Sequence, residues 1–354
     1  MKRKIFIISS INITKIPQQR IIMEKKFLEE LGFSVDIIYP SKSNRFLKEV
    51  DLFFKVLKKY KEIKSHPVIV YDLITVCLFY LYTQHEKIIA EIIDDFPSYY
   101  IYKITKKIAY LRKFKNLFIN ILDKFELQVY KNFCKALIVN SKFLYRKYAS
   151  IFSDEKIFYI PYTSPFEKIN INKPNRKKIG LLYLGHFSYE KGADEILKFF
   201  HRLKKFFPRK DIKLYIFGNI CYSIPSRKDI IIFPRLYARD LIKILNNIKK
   251  ERFLLGLSFI KPLFRSYAYQ DANKDIDYLA MGIPIVGNYR EPTKKIIKEG
   301  GGVFFKNISL IKRLISSISL QNMYIKQAQN IYRRNYSSAY IKNMYKTLLE
   351  RLLK

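Results

Sequence analysis

Short runs of β-branched and aromatic residues alternate with longer amphipathic stretches along most of the 354 residues, and this alternation confines the chain to a parallel α/β fold. Parallel neighbours cannot be joined by a hairpin; each pair needs a crossover of about a dozen residues or more, so strand and helix take turns in sequence. Ile5 to Ile8 reads as a strand, Arg20 to Leu31 as a helix stopped by Gly32, and Val35 to Tyr39 as the next strand. Val68 to Tyr71 is a strand followed by an apolar helix from Leu73, and Lys87 to Ile93 is a strand ending at Asp94-Asp95-Phe96-Pro97. A basic amphipathic stretch from Ile104 to Phe133 leads to the strand Ala136 to Val139, after which Asn140 or Ser141 caps the next helix. The strand Ile157 to Ile160 stops at Pro161.

From Tyr162 to Lys178 the chain is polar, carries Pro165 and Pro174, and lacks apolar periodicity, so it reads as an interdomain linker. The pattern then restarts. Ile179 to Leu184 is a strand, Gly185 to Gly192 a loop, Ala193 to Phe207 a helix, and Ile212 to Phe217 a strand ended by Gly218. Further units are the strand Ile230 to Phe233, a helix from Ala238 to Ile248, a strand near Phe253 to Ser258, a helix ending at Met281-Gly282, and the strands Pro284 to Val286 and Gly302 to Phe305. Beyond these the chain is mostly helical, and no fixed-period repeat is visible. Two doubly wound, Rossmann-like domains follow from this pattern.

With 67 Lys and Arg against 30 Asp and Glu the net charge is +37, which excludes an acidic mimic and favours nucleotide phosphate, nucleic acid or anionic lipid as partner. The abundance of Lys, Ile, Asn, Phe and Tyr, with no Trp, is the composition of an AT-rich genome, so part of the charge is solvated lysine. Cys77, Cys134 and Cys221 are odd in number and have no CxxC spacing; neither a disulfide framework nor a zinc site is suggested, and a reducing cytoplasm is expected. Ser9, Ser10 and Asn12 interrupt the first apolar run, which reads better as a first buried strand than as a signal peptide. The most apolar window, Val68 to Tyr82, contains Asp72 and falls short of the ~18 uncharged residues that span a bilayer.

Two segments carry chemistry. Leu182 to Ala193, LYLGHFSYEKGA, places Gly185 at a strand end and Lys191-Gly192 at a helix start, where backbone amides, the helix dipole and a lysine can meet a phosphate. Taken alone, it reads more readily as an ordinary strand-to-helix turn with a solvated lysine, since it is neither a Walker sequence nor a GxGxxG. Asp271 to Val286, DANKDIDYLAMGIPIV, opens a short helix that Gly282 ends. Asp277, near the open end of that helix, can accept hydrogen bonds from two ribose hydroxyls, or merely complement the helix dipole. Asp275-Ile276-Asp277 also has the D-x-D form of a metal site, but it precedes a short helix late in the chain and no metal is expected there; the four scattered histidines form no triad or metal cluster.

At these two segments the sequence resembles the GT-B glycosyltransferases, in particular the family-4-like enzymes of bacterial surface-polysaccharide synthesis. YLGHFSYEKGADEIL is similar to the glycine loop with its KG pair, and NKDIDYLAMGIPIVGN to the K-x-x-E-Y-x-x-x-G-x-P-V-V donor signature, about ninety residues apart. The resemblance implies that Gly185 admits the donor diphosphate to the backbone, that Lys191 and Lys274 neutralise it as catalytic residues, and that Asp277 holds the ribose, with His186 and Tyr278 also at the substrate. His186 stands where the family has arginine, Asp277 where it has glutamate, and Tyr269 where it has a second acid. Asp94-Asp95 resembles the family's His-Asp strand end; the two carboxylates are candidates for the acceptor base or for a helix cap.

The resemblance implies a GT-B architecture with two domains facing a cleft, an acceptor domain near 1–165 joined by a returning helix near 337–354, and a nucleotide-sugar domain near 175–330. It implies a cytoplasmic, metal-independent, retaining glycosyltransferase without cofactors, acting on a glycan or lipid-linked acceptor in capsule or lipopolysaccharide synthesis. A GT-B-fold sugar-nucleotide epimerase, a degenerate GT-B subunit and a basic nucleic-acid-binding protein are the rival readings, the last ranking behind the others. Tyr99, Tyr100, Tyr102, Lys103, Lys106, Lys107, Tyr110, Arg112, Lys113 and Lys115 form a basic, aromatic stretch suited to the anionic inner face of the cell membrane, or to a solvated helix.

Overall fold

β1 (Lys4–Ile8) alternates its side chains between two buried faces, Ile5 and Ile7 on one and Phe6 and Ile8 on the other, all with no solvent exposure. Burial on both faces is what a parallel sheet requires, and it explains why these strands read as unbroken apolar runs. The computed structural model describes residues 3–10, 19–41, 45–71, 73–85, 87–167, 174–175, 177–236 and 238–352. Ile11-Asn12 and the middle of the linker, 168–173 and 176, lie outside the described residues.

The chain divides into two compact units. Unit 1 comprises Met1–Tyr162, Phe264–Ser266 and Ile341–Lys354; unit 2 comprises Thr163–Leu263 and Tyr267–Tyr340. In unit 1, β1 is followed by α1 (Gln19–Glu30), β2 (Ser34–Ile38), α2 (Arg45–Ile63), β3 (Val68–Tyr71), α3 (Leu73–Thr83) and β4 (Ile88–Ile92). Then come α4 (Phe96–Lys107), a 3-10 turn (Ala109–Phe114), α5 (Lys115–Phe133), β5 (Ala136–Val139), α6 (Lys142–Tyr148) and β6 (Ile157–Tyr159). All six strands are parallel in the order β2-β1-β3-β4-β5-β6. One sheet face packs on α2, α3, α5 and α6, and the other on α1 and on Ile341, Tyr345, Leu348 and Leu349 of the last helix. Ser141, one of the two expected caps, accepts from the Leu144 amide at the start of α6. The reading of the sequence left 40–67 without an element; α2 fills it, and its apolar residues lie on more than one side, Leu52, Val56 and Ile63 inward and Leu47, Phe54 and Leu57 outward, so no single stripe marks it.

Unit 2 contains β7 (Lys178–Leu184), α7 (Ala193–Phe206), β8 (Asp211–Phe217), β9 (Ile230–Phe233), α8 (Ala238–Glu251) and β10 (Phe253–Ser258). The short helix α9 (Arg265–Tyr269) straddles the two units, and α10 (Asn273–Ala280), β11 (Ile285–Gly287), α11 (Glu291–Lys298), β12 (Gly302–Phe304), α12 (Ile308–Ser316) and α13 (Ile318–Asn335) complete unit 2 before α14 (Ser338–Leu352). Its sheet is again parallel and six-stranded, in the order β12-β11-β10-β7-β8-β9.

Candidate functional site

In unit 2 the chain winds from β7 to β9 in one direction and from β10 to β12 in the other, so the loops leaving β7 and β10 part at the point where ligands bind in open α/β sheets. The β7–β10 ladder ends at Leu182 and Gly256, which would strand the Leu184 amide. The Tyr278 hydroxyl fills the gap, accepting from that amide at 3.0 Å and donating to the Leu182 carbonyl at 3.0 Å. Tyr278 is wholly buried; it ties α10 to β7 and presents no ring to a ligand, a correction to its expected place at the substrate.

The loop after β7 starts at Gly185 and passes His186, both exposed. The Tyr183 hydroxyl donates to the His186 carbonyl at 2.7 Å and holds the loop over the strand end. At the other end Gly192 has φ +81°, and a Cβ there would lie 2.1 Å from the Phe259 carbonyl oxygen; glycine is needed both for the backbone angle and for the approach to the residue after β10. Lys191 precedes it with its ammonium 3.8 Å from the centre of the Tyr267 ring. Lys261, from the loop after β10, donates to Asp194 at 2.9 Å in the first turn of α7.

Lys274 reaches the same region from α10. It is 9 % exposed, with its ammonium 4.1 Å from the centre of the Tyr183 ring. Burial pushes its pKa down to about 7; Asp275 opposes the shift, while Lys191 and Arg290 add to it. The structure thus brings Lys191 and Lys274 within each other's field. Asp275, in the first turn of α10, is turned inward, accepting from Thr293 at 3.0 Å and Arg290 at 3.2 Å.

Asp277 is one turn further into α10 than its expected place at the open end. It is half-buried and accepts from the Ser164 hydroxyl at 2.7 Å. Residues two apart on a helix face different directions, so Asp275 and Asp277 meet different partners and do not converge as the D-x-D spelling invites. Tyr269 is 48 % exposed.

In unit 1 the adjacent carboxylates separate. Asp94 is exposed at the end of β4, whereas Asp95 is fully buried, bound by Lys147 at 2.7 Å and by Arg265 at 2.8 and 3.2 Å. Asp95 occupies the position before α4 but makes no side-chain capping bond, because both its oxygens are drawn to those cations. Asp123 and Glu126 of α5 join them, with Lys147 2.8 and 2.6 Å away and Arg265 gripping Asp123 at 2.8 Å through two nitrogens. These three carboxylates lie close enough together to hold a metal ion; the Lys147 ammonium sits among them. Of the aromatic stretch, Tyr99 and Tyr102 pack on Phe264 and Tyr100 on Phe96, while Tyr110 is 70 % exposed.

Sequence reasoning missed Ser164, Tyr267, Arg290, Lys147 and Arg265. The partners of the first, Asp277, and of the last two, Asp95, are 113, 52 and 170 residues distant, and no local spacing announces such pairs.

No protein-family model matches the chain, and no curated protein does. Solved structures match over nearly its full length. Anabaena HepE in complex with UDP and glucose has a TM-score of 0.64 at 10 % identity, covering 99 % of this chain and 100 % of that one. Sucrose-phosphate synthase from Thermosynechococcus elongatus has a TM-score of 0.63 at 12 % identity, covering 99 % of each chain. The lipopolysaccharide outer core galactosyltransferase WaaB, in its apo form, has a TM-score of 0.58 at 13 % identity, covering 98 % of this chain and 99 % of that one. With two parallel six-stranded sheets in separate α/β units, the chain has the fold of the GT-B glycosyltransferases.

Proposed function

We propose that this protein is a glycosyltransferase that moves a sugar from a nucleoside-diphosphate donor to a glycan or lipid-linked acceptor of a bacterial surface polysaccharide. The observation that carries the reading is that Lys191, on the turn after β7, and Lys274, on α10, lie within each other's field, with Lys274 buried over the Tyr183 ring. Lys191 opposes charge on Lys274, and a diphosphate between them relieves that opposition. As the glycosidic bond breaks, negative charge grows on the leaving diphosphate, and lysines fixed beforehand stabilise it without solvent reorganisation. In this reading they do the work of a divalent ion, Asp277 takes the ribose hydroxyls, and the anomeric configuration is retained. Asp94, exposed at the end of β4, is the carboxylate this reading offers to an acceptor hydroxyl.

The UDP in the HepE structure makes UDP the first nucleotide to try. A thermal-shift panel of UDP, GDP and ADP tests the reading: a ligand at a hundred times its Kd adds about 2.7 kcal/mol of stability, and a panel without a single shift refutes the nucleotide site.

The acceptor side of the proposal rests on unit 1. No helix among the described residues is long and apolar enough to cross a membrane. The 3-10 turn and α5 nevertheless expose Tyr110, Phe114, Leu117, Ile121 and Phe125, spaced three and four apart along one face. Lys113, Lys115 and Lys124 accompany them. Apolar groups entering the headgroup layer with lysines at the lipid phosphates make a peripheral contact, each basic residue adding about 1 kcal/mol. Flotation with anionic vesicles, abolished in ~0.5 M salt, is the expected result; equal flotation with neutral vesicles, or none, removes the membrane from the proposal.

A further inference from the structure

Lys274 occupies the second position of α10, directly before an acid, yet that acid is engaged elsewhere. Asp275 is 1 % exposed and accepts from Thr293 and Arg290. Among the described residues Lys274 forms no ion pair; its ammonium rests on the face of Tyr183, itself 1 % exposed. The charged groups that face it are Asp275 on its own helix, Lys191 on the turn after β7, and Arg290 ahead of α11. Two of those three are cations, and the third already serves Arg290.

A lysine in such surroundings is costly to charge in the protein alone. Burial and the two cations outweigh Asp275, so that its pKa falls to about 7. A diphosphate arriving at the β7 end reverses the balance by adding negative charge beside the amine.

We infer that Lys274 binds the nucleotide by taking up a proton, so that the nucleoside diphosphate and H⁺ enter the site together. The inference rests on the nucleotide reading above. The balance is simple: the neutral Lys274 amine accepts one proton from solvent, becomes an ammonium, and donates to a phosphate oxygen. Affinity then falls as pH rises through the pKa of the free protein, because the competent, protonated fraction shrinks. The ligand does not supply this dependence, since a terminal phosphate is fully ionised above its own pKa of about 6.

Isothermal calorimetry of the full chain with UDP, GDP or ADP, whichever binds, in two buffers of different ionisation enthalpy reads the protons directly. About half a proton is expected at pH 7, rising toward one at pH 8, with Kd weakening about fivefold between those pH values and about tenfold more by pH 9. Lys274→Arg, which stays charged, is expected to bind with no uptake and a flat pH profile; Lys274→Met is expected to bind weakly at every pH. Tight binding of a nucleotide with no proton uptake by the unaltered protein overturns the inference and leaves the nucleotide site standing. Absence of binding by all three nucleotides overturns both.

Discussion

Replacing Gly192 by alanine separates what a backbone angle costs from what a lost approach costs, because Gly282 supplies a matched control in the same unit. Both residues are left-handed, with φ of +81° and +65°, so each alanine incurs about 1 kcal/mol of backbone strain. At Gly282 the new methyl would meet the side chain of Gln329 at 3.0–3.3 Å, and a flexible amide can swing away. At Gly192 it would lie 2.1 Å from the Phe259 carbonyl oxygen and 2.7 Å from its Cβ, where ordinary contact begins at 3.4 Å. The backbone beyond β10 would have to retreat by more than an ångström, although the Phe259 ring is fully buried. Overpacking of that kind costs about 1–3 kcal/mol more. Gly282→Ala is therefore expected to destabilise by about 1 kcal/mol and Gly192→Ala by about 2–4 kcal/mol. Urea titration followed by tyrosine fluorescence, usable because the chain has no Trp, measures both, with the two units fitted as separate transitions. A difference between the variants below about 0.5 kcal/mol would refute the argument, since the turn would then be yielding without the β10 end resisting.

Asp277→Ala is expected to weaken nucleoside-diphosphate binding by about 1.5–3 kcal/mol, the value of hydrogen bonds to a charged group, with the melting temperature changed far less than the affinity; unchanged affinity by calorimetry would remove the ribose assignment. Lys147→Met is expected to cost about 3–5 kcal/mol by leaving buried carboxylates short of a cation. Burial already holds Glu126 above the usual carboxylate range, with Lys147 pulling the other way, so the variant raises it further. A carboxyl whose folded pKa is raised favours the fold below its unfolded pKa and loses that advantage as pH rises through the folded value. The gap between Lys147→Met and the unaltered protein should accordingly narrow from pH 8 to pH 5, and a gap that widens in acid would contradict the network's role.

What the sequence disclosed follows from distance along the chain. β10 was readable to its ends, Phe253–Ser258, because a strand buried on both faces is a continuous apolar run. The places of Lys191 before α7 and of Lys274 at the start of α10 were readable because each belongs to a short stretch whose spacing is set by one turn of backbone. Asp95 was visible as an acid at a strand end, but its burial beneath Lys147 and Arg265 was not, since those partners come from other elements. Tyr278 misled for a related reason. A tyrosine beside an aspartate expected at the ligand looks like part of the same surface, whereas one helical step turns it about 100° and inward, where its hydroxyl completes a ladder that two diverging strands leave open.

The passage of the backbone between the units has a consequence for anyone who would divide the protein. The polypeptide changes unit after Tyr162, after Leu263, after Ser266 and after Tyr340, so no single scission liberates either half. A fragment spanning only 163–340 would carry Phe264 and Arg265 away from the tyrosines and carboxylates that receive them. The complementary fragment 1–162 would forfeit α14, whose Tyr345 and Leu348 are wholly buried, and would keep Asp95 with one cation instead of two. Dissection into independently expressed halves therefore calls for circular rearrangement, with residues 341–354 fused ahead of β1 and a graft in place of 264–266, rather than for a stop codon in the linker.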